Sequence, residues 1–202
     1  VVGVSGIFGP DLVQQVTTLP EAYNFTFFAL PGDEAHPIQL LSPLTGDAVD
    51  ETMFWVPSAK TLIAGDTVYG DDYHLFLADL ATPALTKSWK STLDLITDLE
   101  PNVIVPGHTT NNGTIDGLAA LAHTRDYLEL WQSEIESHGV DFFTPAEISN
   151  MLVEAFPNAS SQGSMTILNM SAENFGRGGV RQNHSLPLDT FTDEKVLDGW
   201  NF

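Results

Sequence analysis

Two short segments of the chain each end in a side chain that can bind a metal. Thr61-Leu-Ile-Ala-Gly65-Asp66 delivers a carboxylate, and Val103-Ile-Val-Pro-Gly107-His108 delivers an imidazole. Both are zinc ligands, and the glycine before each lets the backbone turn and approach a ligand closely. A plain turn aspartate is the competing reading of Asp66. Tyr69, His74 and the pair Asp71-Asp72 follow within a few residues. The adjacent carboxylates could bind a cation, although a hydrated turn explains them more simply. The other histidines are His36, His123, His138 and His184, and no two of the six are spaced as His-x-His. There is no G-x-S-x-G elbow, Walker A sequence, dinucleotide fingerprint or EF-hand loop, so a serine hydrolase has no support. Nothing in the sequence sets two acids across a cleft for glycoside hydrolysis.

The elements that must position these residues follow from apolar periodicity. Thr61–Ala64 and Val103–Val105 read as strands buried on both faces, as in a covered sheet. Asp66 and His108 are then expected at neighbouring strand ends. Thr52–Val56 and Thr61–Ala64 should form a hairpin about the turn Pro57–Lys60, and strands are expected over Asn24–Leu30 and His36–Leu41. Leu85, Trp89, Leu93, Ile96 and Leu99, spaced four, four, three and three apart, mark one face of a helix stopped by Pro101. A long helix is predicted from about Ile115 to Ser137, with His123 inside it and His138 at its end, where a histidine suits the helix dipole. Thr144-Pro-Ala-Glu147 is a capping box opening a helix to about Phe156. A short helix is expected over Phe8–Thr17, and an irregular polar tail from about Ser171. Trp55 and Trp89 read as core. Strands followed by helix, strand, helix and helix suggest an α/β (α+β) domain, a sheet covered by helices on one side, with residues 1–202 forming a single unit.

Composition narrows the partners. Seven basic residues against 27 acidic give a formal charge of -20, which argues against nucleic acid or an anionic membrane surface, since both call for a basic patch. With no cysteine, disulfides and thiolate zinc sites are excluded. No apolar run is long enough to span a bilayer. Asn24, Asn112, Asn158, Asn169 and Asn183 all begin N-x-Ser/Thr acceptors, five of the ten asparagines in the chain. That density favours a secreted glycoprotein, and with no signal sequence at Val1-Val-Gly-Val-Ser-Gly the expectation is a mature, processed chain.

Gly65-Asp66 after an apolar strand, the amphipathic helix, and Pro106-Gly107-His108 after a second strand together resemble the metallo-β-lactamase-fold hydrolases. The hairpin Met53-Phe-Trp-Val-Pro57 and the run Tyr69-Gly-Asp-Asp-Tyr-His74 fit as well. The likeness covers roughly residues 25 to 131. It implies a metallo-β-lactamase-like αββα sandwich, partial in this chain, with one or two metal ions at one edge, usually zinc, with manganese or iron as alternatives. A metal-bound hydroxide would attack an ester, lactone, amide or related bond of a small-molecule substrate. By position Asp66 would bridge two metals, His108 would be the last histidine ligand, and His74 with Tyr69 would lie near the substrate mouth.

Two parts of the family pattern are missing. The His-x-His-x-Asp-His segment, which lies upstream in the family, is not in this chain. Where another metal histidine is expected the sequence reads Ser42-Pro-Leu-Thr-Gly-Asp47-Ala-Val-Asp50-Glu51. Asp47 or Asp50 could supply oxygen instead, or could simply be hydrated. The resemblance therefore leaves two readings. The chain is the C-terminal portion of an active enzyme whose other ligands sit on an N-terminal fragment or a second copy, or it is a non-catalytic scaffold that has lost its metal site.

Overall fold

Alternating strand sequences build a mixed sheet. The computed structural model describes residues 23–80, 82–110 and 116–181. β1 (Phe27–Phe28), β2 (Ile38–Leu44), β3 (Glu51–Val56) and β4 (Thr61–Tyr69) form an antiparallel meander, and β5 (Val103–His108) pairs with β4 in parallel. The β3–β4 connection is a single 3-10 turn at Pro57–Ala59, closed by Lys60 in the left-handed region at φ 45°. A parallel neighbour needs a crossover, and α1 (Pro83–Asp98) supplies it. β1 and β2 are the strands expected over 24–30 and 36–41, the first shorter and the second shifted toward its C-terminal end. His36 lies in the turn before β2, where it pairs with Asp33.

The pleat gives the sheet two different faces. Trp55, Leu62 and Ile104 lie in one cross-strand row and join a single core cluster with Trp89, Leu93 and Ile96 of α1. Trp89 is fully buried, and its indole N–H donates to the Thr67 carbonyl at 2.8 Å, tying α1 to β4. α2 (Gly117–Leu130) packs against β4 and β5 beside it. The next row, Leu40, Phe54, Ile63 and Val105, points the opposite way. There Ile63 is 43% exposed, Val105 38% and the neighbouring Val103 48%. Full burial of one such side chain is worth about 1.5–3 kcal/mol, so this face leaves a sizeable stabilisation unused. The result is a five-stranded α/β domain with its core on one side of the sheet.

The remaining helices close the layer. Asp116 caps α2 by accepting from the Leu118 and Ala119 amides. The long predicted helix ends in tapering turns, a π turn at Trp131–Ile135 and a 3-10 turn at Glu136–His138. α3 (Pro145–Ala155) opens on the expected capping box, with Thr144 and Glu147 bonded reciprocally. α4 (Gln162–Phe175) was not expected from the sequence, and it corrects the tail drawn from residue 171. Its Leu168, Ser171 and Ala172 are buried. The Phe8–Thr17 helix and the tail beyond residue 181 lie outside the described residues. Among the described residues no helix is long and apolar enough to cross a membrane.

Candidate functional site

The irregular end of β4 and the end of β5 bring the candidate residues together. The β4–β5 register slips at Gly65, which sits at φ +55°, and again before Tyr69. β4 therefore runs past Asp66 instead of stopping there, because Thr67, Val68 and Tyr69 are all fully buried and hold the strand down. A Cβ on Gly107 would lie 1.9 Å from Asp66 Oδ1 and 2.6 Å from the Gly65 carbonyl carbon, so only glycine lets β5 pass this close. The Pro-Gly-His sequence thereby seats His108 against Asp66. The imidazole Nδ1–H donates to Asp66 Oδ1 at 2.8 Å, the direction a carboxylate requires because it only accepts. The side chains of His108 and Asp66 remain 35% and 34% exposed.

Two tyrosines and a second carboxylate complete the cluster. The Tyr69 ring stacks on His108, centroids 5.0 Å apart and planes 6° apart, and the Tyr73 ring approaches His108 at 5.2 Å. Tyr69 Oη donates to Asp47 Oδ2 at 2.8 Å. The hydrogen bond to Asp66 raises the His108 pKa, with the Asp66 and Asp47 charges adding to it, against the opposing effect of burial. Burial pushes the Asp47 carboxyl up to about 7, opposed by the Tyr69 hydroxyl and reinforced by the charges of Asp66 and Glu51. Tyr69 itself is raised by burial and by the same two aspartates. Asp47, Tyr69, Asp66 and His108 are thus one cluster, whereas Asp50 is an exposed turn residue.

His74 belongs elsewhere. It is fully buried, with Nδ1 3.2 Å from the Tyr127 hydroxyl and Nε2 without a partner among the described residues. Burial, and then the neighbouring His123, push its pKa down to about 4. His123 Nε2 donates to the Tyr73 carbonyl at 2.8 Å. The resemblance implied a place near the substrate mouth for His74 and Tyr69; here both are fully buried, Tyr69 with its ring behind His108 and His74 where the chain turns into the core after Tyr73. Glu51 and Tyr73 were not singled out in the sequence, and Asp72 was read there only as a cation ligand or a hydrated turn. The spacing Pro-Gly-His pointed to Gly107, but nothing local marked Glu51 or Tyr73.

Asp72 acts as a connector, not as a hydrated turn carboxylate. It accepts from Thr109 Oγ1 at 2.9 Å, from the Thr110 amide at 2.8 Å and from the Thr110 hydroxyl. Burial tends to raise its pKa, but these bonds outweigh burial and leave it lowered. Of the acceptor asparagines, Asn24, Asn158 and Asn169 are exposed, and Asn112 and Asn183 lie outside the described residues. Ser171 of the Asn169 acceptor is itself buried and receives the Leu77 amide at 2.8 Å.

The metal implied by the family does not fit the described residues alone. No group of three or more His, Asp or Glu side chains among them is arranged to hold an ion, and catalytic zinc takes three protein ligands. His108 Nδ1 is engaged by Asp66, and one Asp47 oxygen by Tyr69.

A helix-backed mixed sheet with Gly-Asp on one strand and Pro-Gly-His at the end of its parallel neighbour is the arrangement that the resemblance to the metallo-β-lactamase-fold hydrolases implies. Residues 20–108, ending at the candidate histidine, match the model of the metallo-beta-lactamase superfamily. Solved structures of the same kind are similar. A metallo-beta-lactamase from Pontibacter korlensis is 22% identical, with 62% of this chain and 55% of that chain covered and a TM-score of 0.38. The TMB-1 enzyme is 21% identical, with coverages of 64% and 55% and a TM-score of 0.37. The DIM-1 metallo-beta-lactamase exposed to ceftazidime is 22% identical, with coverages of 52% and 45% and a TM-score of 0.34. The chain thus spans about half the length of the solved structures it matches. A search of curated proteins finds no match.

Proposed function

We propose that the chain is part of a secreted, glycosylated hydrolase of the metallo-β-lactamase fold, acting on an ester, lactone, amide or related bond of a small-molecule substrate. Asp66 and His108 supply two ligands of its metal site, zinc in the first instance, with manganese or iron as alternatives. The remaining ligands come from outside the described residues, on an N-terminal part of the same protein or on a second copy. The observation that carries this reading is the partly exposed Asp66–His108 pair on adjacent parallel strands within the superfamily segment. The face of the sheet bearing Ile63 and Val105 supports it, since a covering layer would reach the same strands.

Metal analysis of the purified protein tests the assignment. The chain alone should hold zinc weakly, and chain plus the missing ligands should hold one to two equivalents per protein, the stoichiometry of this class of site. Asp66→Asn and His108→Ala should each abolish that metal together with hydrolysis; full metal content and activity in both variants would refute the ligand roles. A second reading, a non-catalytic scaffold that works by binding, is favoured by Asp47 standing where a histidine is expected, with Tyr69 already bonded to it. A folded, complete protein that takes up no metal and hydrolyses nothing would establish that reading. Intact mass before and after deglycosylation of natively produced protein checks the glycans.

A further inference from the structure

We propose that Asp72 is a positioning residue: it holds the chain after β5 so that the His108 imidazole stays locked on Asp66. The proposal rests on reading Asp66 and His108 as the working pair. His108 is the last residue of β5, so its backbone is fixed on one side by the sheet and needs an anchor on the other. The Gly70–Tyr73 turn provides it. The Gly70 amide donates to the His108 carbonyl at 2.8 Å, and the Tyr73 amide closes the turn onto the Gly70 carbonyl at 3.0 Å. From this turn the Asp72 carboxylate takes the two residues that follow His108, through the Thr109 hydroxyl and through both the amide and hydroxyl of Thr110. The approach is tight: a Cβ on Gly70 would lie 2.8 Å from Asp72 Oδ1 and 2.8 Å from Thr109 Cβ. Tyr73, next to Asp72, sets its ring against His108 at 5.2 Å. One turn therefore grips His108 by its carbonyl, its ring and its C-terminal neighbours.

An ionised carboxylate with three donors is a strong tie, because hydrogen bonds to charged groups exceed neutral ones. Groups one step removed from a ligand orient it in the same way. Without Asp72, the Thr109 hydroxyl and the Thr110 amide and hydroxyl lose this acceptor, and the turn holds His108 only through the Gly70 amide and the Tyr73 ring.

Nitrogen-15 imidazole spectroscopy on the 202-residue chain, without metal or substrate, reads this directly. In the unmodified protein the neutral His108 ring should favour the Nδ1–H tautomer roughly tenfold, the weight of one charge-assisted bond. In Asp72→Ala the ratio should fall toward parity with the circular dichroism of the fold retained, and Asp72→Asn, which keeps one acceptor oxygen, should restore part of it. Asp66→Ala, which leaves the imidazole no acceptor at this position, gives the unlocked limit. If Asp72→Ala does not fold, Thr110→Val, which removes one donor, carries the test and should loosen the ring in a folded chain. A tautomer ratio unchanged in whichever folded variant is read overturns the proposal. A ring that loosens as expected in a protein that hydrolyses nothing would count against the hydrolase reading and leave this one standing.

Discussion

His108 and His74 are each in contact with an oxygen partner and a tyrosine ring, and they are tuned in opposite directions. His108 sits at a strand end, one third exposed, between two tyrosine rings and against Asp66, and its charged form is favoured. His74 lies in the core against the Tyr127 hydroxyl, with one nitrogen unbonded, and its charged form is disfavoured. The difference is burial with or without a counter-charge. A histidine given a carboxylate at the rim becomes chemically available. A histidine given only a phenol in the interior becomes part of the packing.

The largest expected separation between the two regions is in stability. Tyr127 is fully buried and stacks on Phe156 at 4.6 Å. Tyr127→Ala should lower the urea unfolding free energy by about 3–5 kcal/mol, the usual cost of deleting a buried aromatic ring. His108→Ala should cost well under half of that, and equal losses would break the distinction.

The pH dependence separates the regions by sign. His74 has a folded pKa near 4, below its ordinary 6.5; its contribution is full above 6.5 and is lost as pH falls toward 4. Asp47 has a folded value near 7, above 3.8; its contribution is full below 3.8 and is lost as pH rises toward 7. His108, also raised, adds to the second trend, losing its contribution as pH rises above 6.5 through its folded value. The two slopes oppose each other between pH 4 and 7. Urea midpoints across that window should fall with rising pH in His74→Gln and with falling pH in Asp47→Asn, with the His74 part of order 1–3 kcal/mol. Matching pH profiles in the two variants would refute the assignment. A further effect is confined to the rim: Gly107→Ala should cost about 1–3 kcal/mol by overpacking against Asp66, and should displace Asp66 while leaving the His74 nitrogen signals unchanged.

The sequence made the rim legible and the interior less so. Asp66 and His108 could be found because each follows an apolar strand and a glycine, signals that are local. The β4–β5 pairing followed from the same runs and from the intervening Trp89 face. Asp47 was visible as a possible oxygen ligand, undistinguished from Asp50; what sets it apart is its bond to Tyr69, whose ring direction depends on register. His74 could be read as a partly buried histidine or as a substrate contact, because nothing local reports that Ser164 and Tyr127, far along the chain, enclose it. α4 was missed because its polar residues hide a stripe at Met165, Leu168, Ala172 and Phe175, and because Ser164 and Ser171 are buried through hydrogen bonds to the 74–77 segment. Asp72 failed for the same reason: its partners lie across the sheet.

The uncovered row of Ile63 and Val105 has a consequence in mass action. Whatever closes on that face binds only chains whose strands are already paired, because the row does not exist in the unfolded chain. Each tenfold rise in the free concentration of such a layer above its dissociation constant therefore adds about 1.4 kcal/mol to the apparent stability of the fold. The melting temperature of this chain is then a property of the solution as much as of the sequence.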